Sequence, residues 1–249
     1  MYRTSNPALG ESALERLRTR AGAGARTMTV GGTALKTLVL LVVASVSAAF
    51  VWSAYFAGNR EAVGGAILVG AVGGLVVGLV TVFVPRLAPW TAPLYAVLEG
   101  MLLGGVSATY EQQYQGLPMQ AVGLTFGTLF VLLAAYSTGL LRATDRFRAG
   151  ITAATLGIAV YYLIAFAGSF FGVQMPLIHD NGWLGIGFSL VVVAVAALNY
   201  VLDFDFVDRG ARAGLDRRME WYGAFGLLVT TVWLYLELLR LLGKLRSRD

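Results

Sequence analysis

The chain has 249 residues, of which 57% are hydrophobic and only 13% charged, and its mean hydropathy is +0.70. Because soluble domains carry about 25% charged residues, this composition excludes a soluble globular protein and indicates an integral membrane protein. The chain has no cysteine, which excludes disulfides, a thiol nucleophile and a thiolate metal site. The net charge of +5 comes from arginines grouped in a few places, so it indicates membrane topology and not nucleic-acid binding.

Residues 1–34 are polar and rich in arginine and glycine, and they predict a mobile basic tail on the cytoplasmic side. The tail and the apolar stretch after it do not match a signal peptide. That stretch is too long, and no small-residue cleavage site follows it.

Seven apolar segments follow, each near the roughly 20 residues that a helix needs to cross a bilayer. They are too long and too evenly apolar for barrel strands, so an all-α fold is predicted: a polytopic membrane protein with seven transmembrane helices in one bundle. The bundle is expected to occupy 35–243, followed by a short basic C-terminal tail, 244–249. The predicted spans are 36–57, 63–84, 92–110, 118–141, 149–172, 184–206 and 220–243.

Glycines recur at four-residue spacing in the second and third spans, which predicts close packing of helix backbones. They are Gly70, Gly74 and Gly78, then Gly100 and Gly104.

Lysine and arginine are concentrated in the tail and in the loops after spans two, four and six, whereas loops 111–117 and 173–183 contain none. Because basic loops stay cytoplasmic, the N-terminus is expected inside. The basic residues from Arg240 onward do not fit this rule, since seven crossings place the C-terminus outside the cytoplasm. Either the last segment bends back or its basic end is tolerated.

Three acids, Asp203, Asp205 and Asp208, lie at the end of the sixth segment. Asp203 shares a helical face with Asn199 and Val207, whereas Asp205 lies about 200° round the helix. Asp203 and Asp205 therefore cannot both face the same neighbouring helix. These acids either cap the span at the cytoplasmic surface, where they cost little, or form a site within the membrane.

Glu237 lies deep in the seventh segment among leucines. A charge at that depth costs about 2.5–3.5 kcal/mol on insertion scales, so it indicates a pathway or a site. One interpretation is a local ion pair with Arg240, three positions on. The other is a pair with Asp203 in the bundle interior. Two carboxyl groups in contact share one proton, so such a pair is a pH-sensitive gate whose oxygens also suit Ca²⁺.

Three other polar residues have two interpretations each. Glu99, in the third segment, either makes a structural hydrogen bond or belongs to a transport pathway. Arg86, at the cytoplasmic end of the second segment, either anchors the topology or latches onto Asp203. His179, the single histidine, is expected to be solvated in a polar loop and not to serve as a ligand.

The sequence contains no catalytic motif that we recognise: no Gly-x-Ser-x-Gly elbow, no His-Glu-x-x-His pair, no P-loop and no dinucleotide fingerprint. We therefore predict that the protein is not an enzyme and holds no cofactor.

Three stretches resemble the Bax inhibitor-1 family, also called the transmembrane Bax inhibitor motif family. They are LNYVLD at 198–203, LYLELLRLL at 234–242 and EGMLLG at 99–104. RTSNP at 3–7 and LDFD at 202–205 resemble the actinobacterial branch of that family, so a bacterial plasma membrane is the expected location.

The resemblance implies a bundle with its last helix at the centre and a pH-sensitive Ca²⁺ leak, gated by a carboxylate pair on the last two spans. It maps the two gate residues onto Asp203 and Glu237, with Asp205 as the alternative to Asp203. It maps the arginine that latches the closed state onto Arg86. Asp203 and Glu237 would then bind Ca²⁺ as the transported ion, and the partners would be the bilayer, Ca²⁺ and protons. The alternative is a non-conducting membrane regulator that binds another membrane protein, such as a protease.

Overall fold

The computed structural model describes residues 27–169, 171–172 and 182–247. Within these ranges it contains no β-strand, and seven helices are long and apolar enough to cross a membrane. The all-α, seven-helix prediction is therefore confirmed. The helices are α1 Val30–Phe56, α2 Arg60–Phe83, α3 Ala88–Gln113, α4 Leu117–Ser137, α5 Asp145–Ser169, α6 Trp183–Arg212 and α7 Met219–Arg246.

Helix α1 begins six residues earlier than expected, because Thr29 caps it. The Thr29 Oγ1 accepts a hydrogen bond from the Gly32 N–H at 2.9 Å, which satisfies one of the free donors of the first turn. The predicted tail up to residue 26, the loop that contains His179, and Arg248 lie outside the described residues.

Short links turn the chain between consecutive helices. Gly58 and Gly116 adopt φ values of 88° and 76°, a left-handed conformation that side chains disfavour. A 3₁₀ turn, Pro85–Leu87, leads into α3. With seven alternating crossings, one membrane face holds the start of α1 and the links α2–α3, α4–α5 and α6–α7. We call this the basic face.

The last helix is at the centre of the bundle, as the family resemblance implied. Of its apolar segment 67% is buried, against 0% for that of α5. Helix α7 packs against α1, α3, α4 and α6. Its buried side chains Leu228, Leu234 and Leu239 belong to the core of the bundle.

The predicted close approach of glycines is confirmed between α1 and α3. A Cβ at Gly100 would lie 2.3 Å from the Ala44 carbonyl oxygen, and one at Gly104 would lie 2.3 Å from the Ala48 carbonyl oxygen. The two backbones therefore touch directly, which any side chain at these positions would prevent.

Candidate functional site

Asp203 is a partly exposed acid on α6 that faces the central helix. Its Oδ2 accepts a hydrogen bond from Thr230 Oγ1 of α7 at 2.6 Å. Gly226 lies one turn earlier on α7, and a Cβ there would lie 3.7 Å from Asp203 Oδ1. The carboxyl group therefore fits against a stretch of α7 that has a hydroxyl donor and no large side chain.

A second polar contact between α6 and α7 lies beside the first. Tyr200 Oη donates to Thr231 Oγ1 at 2.9 Å, and Thr231 Oγ1 donates to the Leu227 carbonyl at 2.6 Å. Because Tyr200 and Thr231 are buried, these bonds are not exchanged with water, and they set the register of α6 on α7.

Asp205 faces away from α7, as predicted from its angle to Asp203. Its Oδ2 lies 3.1 Å from Arg148 Nη2 of α5 and 2.8 Å from Arg209 Nη2, one turn on. In this structure two guanidinium groups neutralise Asp205, whereas Asp203 contacts the central helix. Asp208, which also ends α6, pairs with Arg212 at 2.9 Å.

Glu237 is 2% exposed and makes the local ion pair that was one of its two interpretations. Arg240 Nη1 donates to its Oε1 at 2.9 Å, and Tyr162 Oη of α5 donates to the same oxygen at 2.9 Å. Arg240 also donates to Tyr162 Oη at 2.7 Å and lies over the tyrosine ring. The three groups form a compact polar cluster between α5 and α7.

The predicted contact between Asp203 and Glu237 is not present in this structure. Asp203 binds Thr230, which is seven residues before Glu237 and therefore about 10 Å away along α7. The two acids therefore lie at different depths in the membrane, separated by the two turns of α7 between Thr230 and Glu237. No group of three or more potential metal ligands occurs among the described residues. In this arrangement the two carboxylates therefore cannot share one Ca²⁺.

Arg86 is exposed in the 3₁₀ turn on the basic face, and it forms no ion pair with Asp203 in the described part of the chain. The latch is therefore absent from this structure. Glu99 is buried against α2 and does not face α6: a Cβ at Gly74 would lie 2.9 Å from its Oε1. The spaced glycines of α2 make room for this carboxyl group.

One acid that we did not predict is Glu220, at the start of α7. It is 1% exposed, and it accepts hydrogen bonds from the Thr29 N–H at 3.0 Å and from Thr29 Oγ1 at 2.9 Å. Lys36 of α1 forms an ion pair with the same carboxyl group. Glu220 thus fastens α1 to α7 on the basic face. Lys36, at the start of the first apolar segment, was the available signal, because a charge there needs a partner.

The basic C-terminal end of α7 also has an explanation. Helix α7 runs unbroken to Arg246, so it does not bend back. Glu237 neutralises Arg240, and Lys244 donates to the Gly185 carbonyl and to Ser189 Oγ of α6, both at 3.0 Å. Partners within the bundle therefore accommodate charges that the count of basic loops left unexplained.

Comparison with known proteins adds one finding. The family model described as Bax inhibitor 1 like matches residues 6–247, and no curated protein and no solved structure matches significantly. That match takes in all seven helices and every acid described above. The chain therefore belongs to the Bax inhibitor 1-like family.

Proposed function

We propose that the protein is a passive, pH-sensitive cation leak in a bacterial plasma membrane, with Ca²⁺ as the transported ion. One observation carries this proposal. Of the five acids on α6 and α7, Asp203 is the one that pairs with no base among the described residues. A carboxyl group at that depth, held only by a hydroxyl, offers a binding position to a passing cation.

The proposed gate is Asp203 with Thr230, in place of the pair of carboxylates expected from the sequence. The Thr230 hydroxyl donates to Asp203 Oδ2, which accepts that bond whether or not the other oxygen carries a proton. Deprotonation adds a negative charge that attracts a cation. The leak therefore increases as pH rises, and it is lost when the acid is protonated.

The proposed orientation places the N-terminus in the cytoplasm. The links on the basic face contain Arg86, Arg142, Arg217 and Arg218, whereas the described loop between α3 and α4 contains no lysine or arginine. Basic links remain on the cytoplasmic side. The Asp203 site then lies nearer to the cytoplasm than Glu237 does.

Flux from liposomes tests the proposal. Purified protein in vesicles that contain a Ca²⁺ dye should leak faster as the pH rises from about 6 to about 8. Asp203→Asn should abolish this pH dependence. The matched control is Asp208→Asn, five residues on, which should retain it because Asp208 pairs with Arg212 at the end of α6. The absence of flux at any pH would refute the leak and favour a non-conducting regulator of another membrane protein.

A further inference from the structure

Helix α5 is attached to the bundle more loosely than the other six helices. None of its apolar segment is buried, whereas each of the others buries at least 22% of its own. The residues on its inward face, spaced three and four apart, are all half-exposed: Ile151, Ala154, Thr155, Ile158, Tyr161, Tyr162 and Ala165. An incompletely closed seam therefore runs between α5 and the α6–α7 pair.

Polar side chains bridge this seam at three depths. Arg148, Thr155 and Tyr162 are seven residues apart, so they share one face of α5. Each bonds to a polar group of α6 or α7. From the basic face, the contacts are Arg148 with Asp205 (3.1 Å), Thr155 with Asn199 (2.9 Å) and Tyr162 with Glu237 (2.9 Å). We call the space along these contacts the α5 seam.

The polar groups of the α5 seam cross most of the membrane. Successive contacts lie about 10 Å apart along the helices, so the three levels span about 20 Å. The hydrocarbon core is about 30 Å thick. A buried contact between α6 and α7, Lys244 with Ser189, follows seven residues beyond Glu237 on α7. Asp203 lies one turn from Asn199 on the same face of α6, so it borders the seam as well.

A space elsewhere in the bundle has a different character. A cavity of about 460 Å³ lies among α1, α3, α4 and α7, and its walls are almost entirely apolar. Buried hydroxyls on these walls are already bonded within the protein, as in Ser107 with Tyr235 at 2.7 Å. Its one acidic lining residue, Glu111, accepts from the Gly116 N–H at the far end. An ion in this cavity would lose its hydration without compensation.

We propose that ions cross the protein along the α5 seam and that Arg148 and Arg240 keep it closed. This inference rests on the proposed leak function and adds its route. Each arginine occupies a carboxylate, Asp205 or Glu237, that a mobile cation would otherwise meet. Displacement of either guanidinium group exposes oxygen ligands of the kind that Ca²⁺ prefers. Asp203 lies between these two levels. Its carboxylate pairs with no arginine in the described part of the chain, so a cation can reach it without such a displacement.

The absence of cysteine makes the route directly testable, because single cysteines can be introduced without removing any. Thr155→Cys places a thiol in the seam, and Leu156→Cys places one on the adjacent residue, which is 60% exposed on the lipid side. Thr125→Cys places a third thiol in the apolar cavity. Each variant in vesicles is treated with a membrane-impermeant cationic methanethiosulfonate, and the fraction modified is measured by mass spectrometry. Modification in SDS confirms that each thiol is reactive once exposed.

We expect Thr155→Cys to react faster than Leu156→Cys and Thr125→Cys by about tenfold or more, because only a hydrated thiol forms the reactive thiolate. Modification at residue 155 should also block Ca²⁺ flux. If wild-type vesicles leak but Thr155→Cys reacts no faster than Leu156→Cys, the seam is not the route and the leak itself stands. A block of flux through Thr125→Cys would move the route to the apolar cavity. Wild-type vesicles without flux would overturn both proposals.

The closing role of the arginines has its own test. Arg148→Ala should raise Ca²⁺ flux several-fold at fixed pH, because it removes the guanidinium group that bridges the seam and leaves Asp205 paired with Arg209 alone. Arg146→Ala is the matched control: Arg146 lies two residues earlier, is exposed, and pairs with no acid in the described part of the chain. Equal flux from the two variants, with wild-type conduction intact, would contradict the role assigned to Arg148.

Discussion

Replacing Gly104 with alanine inserts a methyl group at the point where α3 touches α1. The new Cβ would lie 2.3 Å from the Ala48 carbonyl oxygen and 2.8 Å from its Cα, about 1 Å closer than ordinary van der Waals contact. Both obstructing atoms belong to the backbone, so no side chain can rotate away. The two helices must move apart, and overpacking of this kind costs about 1–3 kcal/mol.

The matched control is Gly123→Ala on α4. A Cβ at Gly123 meets no heavy atom within 4 Å. Alanine there should be neutral or should stabilise by up to about 1 kcal/mol, because glycine is the poorer helix former. The same substitution is therefore expected to have opposite effects at two glycines within membrane helices.

Thermal unfolding followed by tryptophan fluorescence measures the difference, since the chain contains five tryptophans. At roughly 2–4 °C per kcal/mol for a domain of this size, Gly104→Ala should lower Tm by about 2–12 °C. Gly123→Ala should leave Tm unchanged or raise it slightly. If both variants lost the same stability, or if Gly104→Ala were the more stable, the close contact of α1 with α3 would be refuted.

Two further predictions concern the buried charges. Glu220→Ala should destabilise the protein by about 3–5 kcal/mol, because it leaves Lys36 without its buried partner. The double variant with Lys36→Met should recover part of this loss in the same unfolding experiment. No recovery would show that loss of the ion pair is not the cause. Tyr162→Phe should loosen α5, because it removes the hydroxyl that Glu237 and Arg240 share, and faster hydrogen exchange confined to α5 would show this. Exchange unchanged from the wild type would mean that the remaining contacts hold α5 by themselves.

Local patterns in the sequence predicted most of the architecture. The seven spans follow from the length of the apolar segments, and the close packing of α3 on α1 follows from the spacing of Gly100 and Gly104. The opposite orientation of Asp203 and Asp205 also follows from helix geometry alone, and the structure confirms it. These features depend on neighbours along the chain, which the sequence displays directly.

The partners of the charged residues were harder to predict. Glu237 bonds to Tyr162 and Arg240 and does not contact Asp203. Asp203 instead contacts Thr230, which lies two turns before Glu237 on α7. The pairing of Glu220 with Lys36 joins residues at opposite ends of the chain. The relative depth of two helices depends on the packing of their whole surfaces, and small errors in span boundaries change it by a full turn.

The sequence by itself therefore determined that the chain is a membrane-spanning helical bundle and that Glu99, Asp203 and Glu237 lie within its helices, since the length and periodicity of apolar segments are properties of consecutive residues. The tertiary structure alone decided which of those acids are neutralised and which remain without a base. That outcome depends on the axial offset between α5, α6 and α7, which arises from side-chain packing between helices and leaves no periodic signal in any one of them.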